Sequence, residues 1–114
     1  MPLFELRTNR TLGEEEVLIL ASELSGVCAE ILNKPESYVM VNLQANQSLI
    51  FAGNCDPTAF GELRSINLPP DETSSLSAEL CSFLSEKLKI SKERIYLSFI
   101  NVDRNNWGWN GKTF

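Results

Sequence analysis

Two stretches of the chain repeat apolar residues at the three-and-four spacing that places them on one face of a helix. The first covers residues 14–33 and opens with three glutamates, which the helix dipole favours at its N-terminus. Its inward face consists of Val17, Leu20, Ala21, Leu24, Val27, Cys28 and Ile31. The second helix is predicted to begin between Thr73 and Ser75, after the breaker Pro69-Pro70-Asp71, and to end near Lys89. Its inward face consists of Leu76, Leu80, Phe83, Leu84 and Leu88.

Short segments that alternate apolar and polar residues flank both helices and predict strands. The first is residues 2–7, and others are Tyr38–Leu43 after the first helix and Ile95–Ile100 after the second. The motif Phe4-Glu5-Leu6-Arg7 also returns as Gly61-Glu62-Leu63-Arg64. This internal similarity indicates that a strand, helix, strand unit occurs twice in the chain.

The repeat predicts the fold class and the domain organisation. We expect one α+β domain over residues 1–114, a two-layer α/β sandwich whose pseudo-repeats cover about 2–57 and 58–114. Right-handed βαβ crossovers would place both helices on one face of a four-stranded mixed sheet. The other face would stay uncovered, and we expect it to carry Val39, Val41, Leu43, Leu97, Phe99 and the run Leu49-Ile50-Phe51. An exposed apolar sheet face of this kind predicts oligomerisation.

The composition narrows the classes of partner. The chain has 15 acidic and 10 basic residues. The resulting net charge of −5 disfavours nucleic acid and an anionic membrane as partners. An RNA-binding ferredoxin-like domain shares the βαββαβ order, but it would need a basic surface and stacking aromatic residues at neighbouring strand centres. The aromatic residues here gather at the C-terminus instead. We therefore favour a protein that binds neither nucleic acid nor membrane.

The three cysteines contain no C-x-x-C pair, so neither a disulfide framework nor a zinc site is expected. Cys28 and Cys81 fall in helical patterns and are interpreted as small hydrophobic residues, whereas Cys55 is expected to be exposed.

No secretory leader or membrane-spanning run is predicted. The expected location is cytoplasmic, with secretion only by a non-classical route.

The chain contains no histidine, so acid/base chemistry near neutral pH needs another group with a shifted pKa. Pro2 follows the initiator methionine, and removal of Met1 would free a secondary amine. Terminal amines titrate at about 7.7 to 8.0, and burial or a nearby cation lowers that pKa further. Pro2 is therefore a candidate general base, although a proline at this position can also simply rigidify an edge strand.

Several motifs taken together resemble the macrophage migration inhibitory factor family of the tautomerase superfamily. They are Met1-Pro2-Leu3-Phe4, Thr8-Asn9, Lys34-Pro35, Phe51-Ala52-Gly53, Ser65-Ile66 and the closing Trp107-Gly108-Trp109-Asn110-Gly111-Lys112-Thr113-Phe114. The resemblance covers essentially the whole chain. It implies a homotrimer with a pocket at each subunit boundary and a cofactor-independent keto–enol tautomerase for phenylpyruvate-like and dopachrome-like substrates. It also implies an alternative, a cytokine-like protein that binds a receptor and whose tautomerase activity is incidental.

The resemblance also assigns candidate site residues. Pro2 would be the catalytic base, and Lys34 would lower its pKa and hold the substrate carboxylate, although a lysine at a helix C-terminus is also common. Ser65 and Ile66 would line the pocket floor, and Tyr96 would come from the adjacent subunit. The remaining candidate wall and rim residues are Tyr38, Ser98, Trp107, Trp109 and Phe114. Neither a metal nor an organic cofactor is implied.

Three departures from the best-known family members are visible. Ser98 offers a single hydroxyl where they have an asparagine, and Trp107 stands where they have a small aliphatic residue. The segment Thr58-Ala59-Phe60-Gly61 replaces a C-x-x-C motif, so no thiol-disulfide activity is expected.

Overall fold

The computed structural model describes all residues from Met1 to Phe114. The helices and strands are, in chain order, β1 (Leu3–Thr8), α1 (Glu14–Leu32), β2 (Met40–Gln44), β3 (Ala59–Ile66), α2 (Thr73–Leu88), β4 (Ile95–Val102), β5 (Gly108–Trp109) and β6 (Lys112–Thr113). Both predicted helices are confirmed to within a residue or two at each end. Neither helix is long and apolar enough to cross a membrane.

Strands β1 to β4 form one mixed sheet in the order β2-β1-β3-β4, and β5 and β6 form a separate small hairpin. The outer pairs, β1 with β2 and β3 with β4, are parallel, while β1 and β3 are antiparallel at the centre. Each parallel pair is joined through a helix, so the sheet consists of two βαβ units. The predicted fold class is confirmed.

One predicted strand boundary was wrong. Residues Glu36–Tyr38 form a short 3₁₀ turn, so Tyr38 precedes β2 and does not belong to it. Pro35 opens the turn with φ −61°, and the Tyr38 N–H donates to the Pro35 carbonyl at 3.1 Å. The proline therefore holds the chain in a turn over residues whose side chains, taken alone, favour a strand.

The hydrophobic core lies between the sheet and the two helices. Phe4, Leu6 and Leu63 are fully buried on the helix-facing side of the central strands. Gly61 also lies there, since a Cβ on it would stand 2.7 Å from Phe4 Cζ and 2.9 Å from Leu97 Cδ2. The helices contribute the buried residues Leu20, Leu24, Cys28, Leu32, Leu76, Leu80, Leu84 and Leu88.

The predicted assignment of residues to the open sheet face was wrong. Because Phe4 pairs with Val41 and Leu63 pairs with Phe99, the partners in each pair share one face, which is the helix-facing one. The same alternation turns the other predicted residues inward, and all of them pack against the core: Val39, Val41, Leu43, Leu97 and Phe99. The run Leu49-Ile50-Phe51 is a loop outside the four-stranded sheet.

The open face of the sheet mixes charge with apolar surface. Its centre carries Glu5 and Arg7 from β1 and Glu62 and Arg64 from β3, with an ion pair of 2.7 Å between Arg64 and Glu62. Apolar side chains surround these charges, namely Leu3, Met40, Phe60, Tyr96 and Ile100. In a single subunit, Met40 and Tyr96 are 66% and 63% exposed. The sheet therefore has an uncovered face with apolar side chains, as predicted, but these are not the residues that were predicted to lie there.

The cysteines lie as predicted. Cys28 is buried in the core, and this burial raises the pKa of its thiol to about 12, so it stays neutral. Cys81 is half-buried and Cys55 is exposed.

Candidate active site

The N-terminus lies in a partly buried position at the start of the sheet. Pro2 is buried, and its carbonyl accepts a hydrogen bond of 3.0 Å from the Met40 N–H, which extends the pairing of β1 with β2. Met1 is attached in this structure, so the free amine is that of Met1 and the Pro2 nitrogen is an amide. Removal of Met1 would leave the Pro2 amine fixed by the sheet, a short distance from where the Met1 amine lies.

Lys34 is directed to this region by the end of α1. The helix closes at Asn33, which adopts the left-handed conformation (φ 53°), and the Lys34 N–H then donates to the Ala29 carbonyl at 3.0 Å. The Lys34 ammonium donates to the Ile66 carbonyl at the end of β3. This bond fixes a long, otherwise flexible side chain at the end of the sheet where Pro2 lies.

Ser65 and Ile66 are both fully buried. The Ser65 hydroxyl donates to the Ile66 carbonyl at 3.0 Å, so this one oxygen accepts from both Ser65 and Lys34. Ile66 lies outside the main core cluster. The pair lies at the end of β3, and the Ser65 hydroxyl is bonded to the same carbonyl that holds Lys34.

Burial and like charge both act on the amines here. Burial, and secondarily the Lys34 ammonium, lower the pKa of the Met1 amine from its ordinary value of 8.0 to about 6. Burial also lowers the pKa of Lys34, and the Arg104 guanidinium lowers it further. The terminal amine is thus largely neutral near neutral pH, which is the form that accepts a proton.

Arg104 is a residue that the sequence analysis missed. It begins the turn Arg104–Asn106, which follows β4, and β4 ends at Val102, the register partner of Ile66. The topology therefore brings a second cation to the region of Lys34. No periodic or motif signal distinguishes this arginine in the sequence.

An aromatic cluster forms one wall of the candidate site. Trp109 and Phe114 stack with ring centroids 5.4 Å apart, and Tyr38 meets the edge of each at 5.6 and 6.1 Å. The C-terminal hairpin brings Trp109 and Phe114 to Tyr38, since Asn110 and Gly111 both have positive φ, as a tight two-residue turn requires.

These rings border a hollow of about 250 Å³ that Met1 and Trp107 also line. Trp107 is half-buried, and its carbonyl accepts from the Phe114 N–H at 3.2 Å. Trp107 also lines a second hollow of about 400 Å³ on the open face of the sheet, beside Leu3 and Arg64. Trp107 lines both hollows together with Met40 and Gly108, so these three residues lie between the aromatic hollow and the open sheet face.

Tyr96 and Ser98 do not join the other candidates within one subunit. Both lie on β4 and point to the open face, since their neighbours Leu97 and Phe99 point to the helices. Tyr96 instead contacts Phe51, with centroids 4.8 Å apart. Within the chain, the structure brings together Pro2, Lys34, Ser65 and Ile66 at one end of the sheet, with the aromatic wall beside the N-terminus.

The chemistry available at this site is that of amines and aromatic rings. No three His, Cys, Asp or Glu side chains lie close enough together to hold a metal ion. What the site offers is one partly buried terminal amine, a lysine ammonium tied to a backbone carbonyl, and flat apolar walls. Such a site suits a small planar anion.

The two βαβ units, one mixed sheet and two helices on one face define the fold of the tautomerases. The model of the macrophage migration inhibitory factor family matches residues 1–114, and the chain belongs to that family.

Relatives match over the full length. A macrophage migration inhibitory factor homolog from Trichinella spiralis is 41% identical, with all of both chains covered. Macrophage migration inhibitory factor from Meriones unguiculatus is 36% identical over all of this chain and 99% of the relative. The solved structure of the Trichinella spiralis factor superposes with a TM-score of 0.89 over 98% of this chain and 99% of that one, at 39% identity. A homologue from Prochlorococcus marinus gives 0.90 over 98% of both chains, at 37% identity.

Proposed function

We propose that this protein interconverts the keto and enol forms of small aromatic α-keto acids, phenylpyruvate-like or dopachrome-like, without a cofactor. The family belongs to the tautomerase superfamily, which supports the reaction class. The observation that carries the proposal is the terminal amine, whose pKa burial and Lys34 lower to about 6. Removal of Met1 gives this environment to the Pro2 amine, which becomes the general base.

The reaction needs two groups to hold the substrate and one to accept its proton. The Lys34 ammonium binds the substrate carboxylate, and the aromatic wall accepts the substrate ring. The neutral Pro2 amine then takes a proton from the carbon next to the carbonyl. The electron pair of the broken C–H bond forms the C=C bond of the enol, and the carbonyl oxygen takes up a proton from water. The reverse path returns the proton from the Pro2 ammonium to carbon.

We further propose that the site is completed by assembly, as a homotrimer. Tyr96 and Ser98 lie on the open sheet face, away from Pro2 and Lys34, so they reach a substrate only from a neighbouring subunit. The exposure of Met40 and Tyr96 on that face supports burial by another copy, because large apolar side chains are stabilised by removal from water.

The amine is tested by changing it in two ways. With Met1 removed, Pro2→Gly replaces the secondary amine by a primary one on a more flexible chain. A preparation that retains Met1 turns the proline nitrogen into an amide. We expect kcat/KM for phenylpyruvate to fall about a hundredfold in the Met1-retaining form, the scale of general base catalysis, and by less in Pro2→Gly.

The control is Pro70→Gly, which makes the same substitution at an exposed proline. It should keep the parental rate. The N-terminus of each sample is checked by mass spectrometry and its assembly by sedimentation. Parental rates in both N-terminal variants at parental assembly would contradict the proposed base.

A second candidate function comes from the names of the rodent relatives, which describe inhibition of macrophage migration. We propose receptor binding by the assembled surface as this alternative. Inhibition of macrophage migration by Met1-retaining protein that has lost tautomerase activity would favour it. Inhibition that is lost together with the tautomerase activity would make the enzyme the primary role.

A further inference from the structure

Arg94, the residue directly before β4, holds the loop that precedes β3. Its guanidinium donates to four backbone carbonyls of that loop, those of Phe51 (3.1 Å), Asn54 (3.5 Å), Asp56 (3.0 Å) and Pro57 (3.0 Å). A planar fork of five N–H donors can serve several acceptors at once, which a lysine ammonium on a flexible stem cannot reproduce. This arginine therefore fixes the loop to the strand that carries Tyr96.

The same guanidinium also fixes a side chain. It lies 5.1 Å from the centroid of the Phe51 ring, and that ring meets Tyr96 edge to face at 4.8 Å and 67°. Phe51 is thus placed between the cation and the tyrosine. Tyr96 is 63% exposed in the single subunit, and its aromatic contact there is with Phe51, which orients the ring before a neighbouring subunit packs against it. An exposed aromatic ring held in one orientation is suited to act as a preformed binding wall.

The loop has a second anchor that does not involve Phe51. The Asn9 side chain donates to the carbonyls of Cys55 and Asp56, both at 3.1 Å, and accepts from the Thr58 N–H at 2.9 Å. Loss of Arg94 would therefore leave the later part of the loop attached. What it would release is Phe51, and with it the orientation of Tyr96.

We propose that Arg94 is a positioning residue of the substrate site, which acts through Phe51 to hold the Tyr96 ring in its binding orientation. This inference rests on the proposed function, in which Tyr96 contacts the substrate bound to a neighbouring subunit. A wall that is already oriented removes the cost of ordering it when the substrate binds. The effect is on binding, since neither Arg94 nor Phe51 reaches the reacting atoms.

The kinetic test uses Arg94→Lys, which keeps the charge, and Phe51→Leu, which keeps apolar volume but loses the ring. Each is expected to raise KM for phenylpyruvate about fivefold, the scale of an aromatic pair, with kcat little changed. In a Tyr96→Ala background, Phe51→Leu should raise KM no further, because the residue through which it acts is gone.

The matched control is Asn9→Ala, which loses three side-chain hydrogen bonds to the same loop but none to Phe51. It should leave KM near the parental value. An equal rise in KM for Asn9→Ala, or full additivity of Phe51→Leu and Tyr96→Ala, would overturn the inference, because general loosening of the loop would then explain the effect.

A second readout does not depend on turnover. The chain has two tyrosines, Tyr38 and Tyr96, so fluorotyrosine labelling gives two ¹⁹F NMR signals, which Tyr38→Phe assigns. We expect Arg94→Lys to move the Tyr96 signal toward the free amino acid and to leave Tyr38 unchanged. An unmoved Tyr96 signal would overturn the inference. If tautomerase activity did not depend on Pro2, the proposed general base would be wrong, but the role of Arg94 in orienting Tyr96 would not be affected.

Discussion

The two faces of the central sheet differ sharply although they come from the same strands. On the helix side, β1 presents Phe4, Leu6 and Thr8, all fully buried. On the open side, the same strand presents Leu3 and an ion pair of 3.9 Å between Arg7 and Glu5. The first face stabilises the subunit, and the second leaves surface available for assembly and for Tyr96. Along β1, alternation with a period of two therefore separates the side chains that stabilise the subunit from those available for assembly.

The largest expected difference is between two leucines of β1. Leu6→Ala should lower the free energy of unfolding by about 3 kcal/mol, because it removes a fully buried side chain and leaves a cavity. Leu3→Ala, on the open face, should cost under about 1 kcal/mol and act mainly on assembly. Urea unfolding and sedimentation velocity measure the two effects. Equal losses of stability would contradict the contrast between the faces.

Two glycine-to-alanine substitutions are expected to change the stability of the protein in opposite directions. Gly61→Ala should destabilise the protein by about 1 to 3 kcal/mol, because its Cβ would meet Phe4 and Leu97 within 3 Å. Gly26→Ala is the control: nothing lies within 4 Å of its Cβ, and alanine favours the helix by about 1 kcal/mol. Thermal unfolding of the two variants shows whether each substitution stabilises or destabilises the protein. Parental stability in Gly61→Ala would mean that the helix-facing side of the sheet tolerates added volume.

The smallest expected effect is on the open face. Glu62 pairs with Arg64 but also lies directly opposite Glu5 in the antiparallel register. Glu62→Gln loses an attraction and a repulsion together, so stability should change by less than about 0.5 kcal/mol and depend little on salt. Urea unfolding at low and high salt measures it, and a large loss would show that this ion pair supports the subunit.

The helices were predictable because their apolar spacing is a local property. The face of each strand was not, because it depends on pairing between distant residues such as Phe4 and Val41. The alternation over Tyr38–Leu43 indicated a strand, but the turn after Pro35 includes Tyr38, and β2 begins at Met40. Local propensity was overridden there by one proline and two backbone hydrogen bonds, from the Tyr38 N–H to the Pro35 carbonyl and from the Val39 N–H to the Glu36 carbonyl.

The candidate site was predictable in part for a similar reason. Pro2 stood out because no histidine competes with it, and Lys34 stood out beside a family motif. Arg104 and Arg94 carry no such signal, since a single arginine in a turn has no spacing pattern. Their positions depend on where β4 begins and ends relative to β3, which only the folded chain determines.

The central claim is that the Pro2 amine, with its pKa lowered by burial and by Lys34, abstracts the proton. It is tested most directly by the pH dependence of deuterium uptake at the carbon next to the carbonyl of phenylpyruvate, catalysed by protein whose mass shows that Met1 is absent. The active amine is unprotonated, so kcat/KM should fall as pH falls through its pKa, with an inflection well below the ordinary 8.0. Lys34→Ala should move that inflection to higher pH, since it removes a like charge. An inflection that is unchanged in Lys34→Ala, or an identical profile from protein that retains Met1, would contradict the claim.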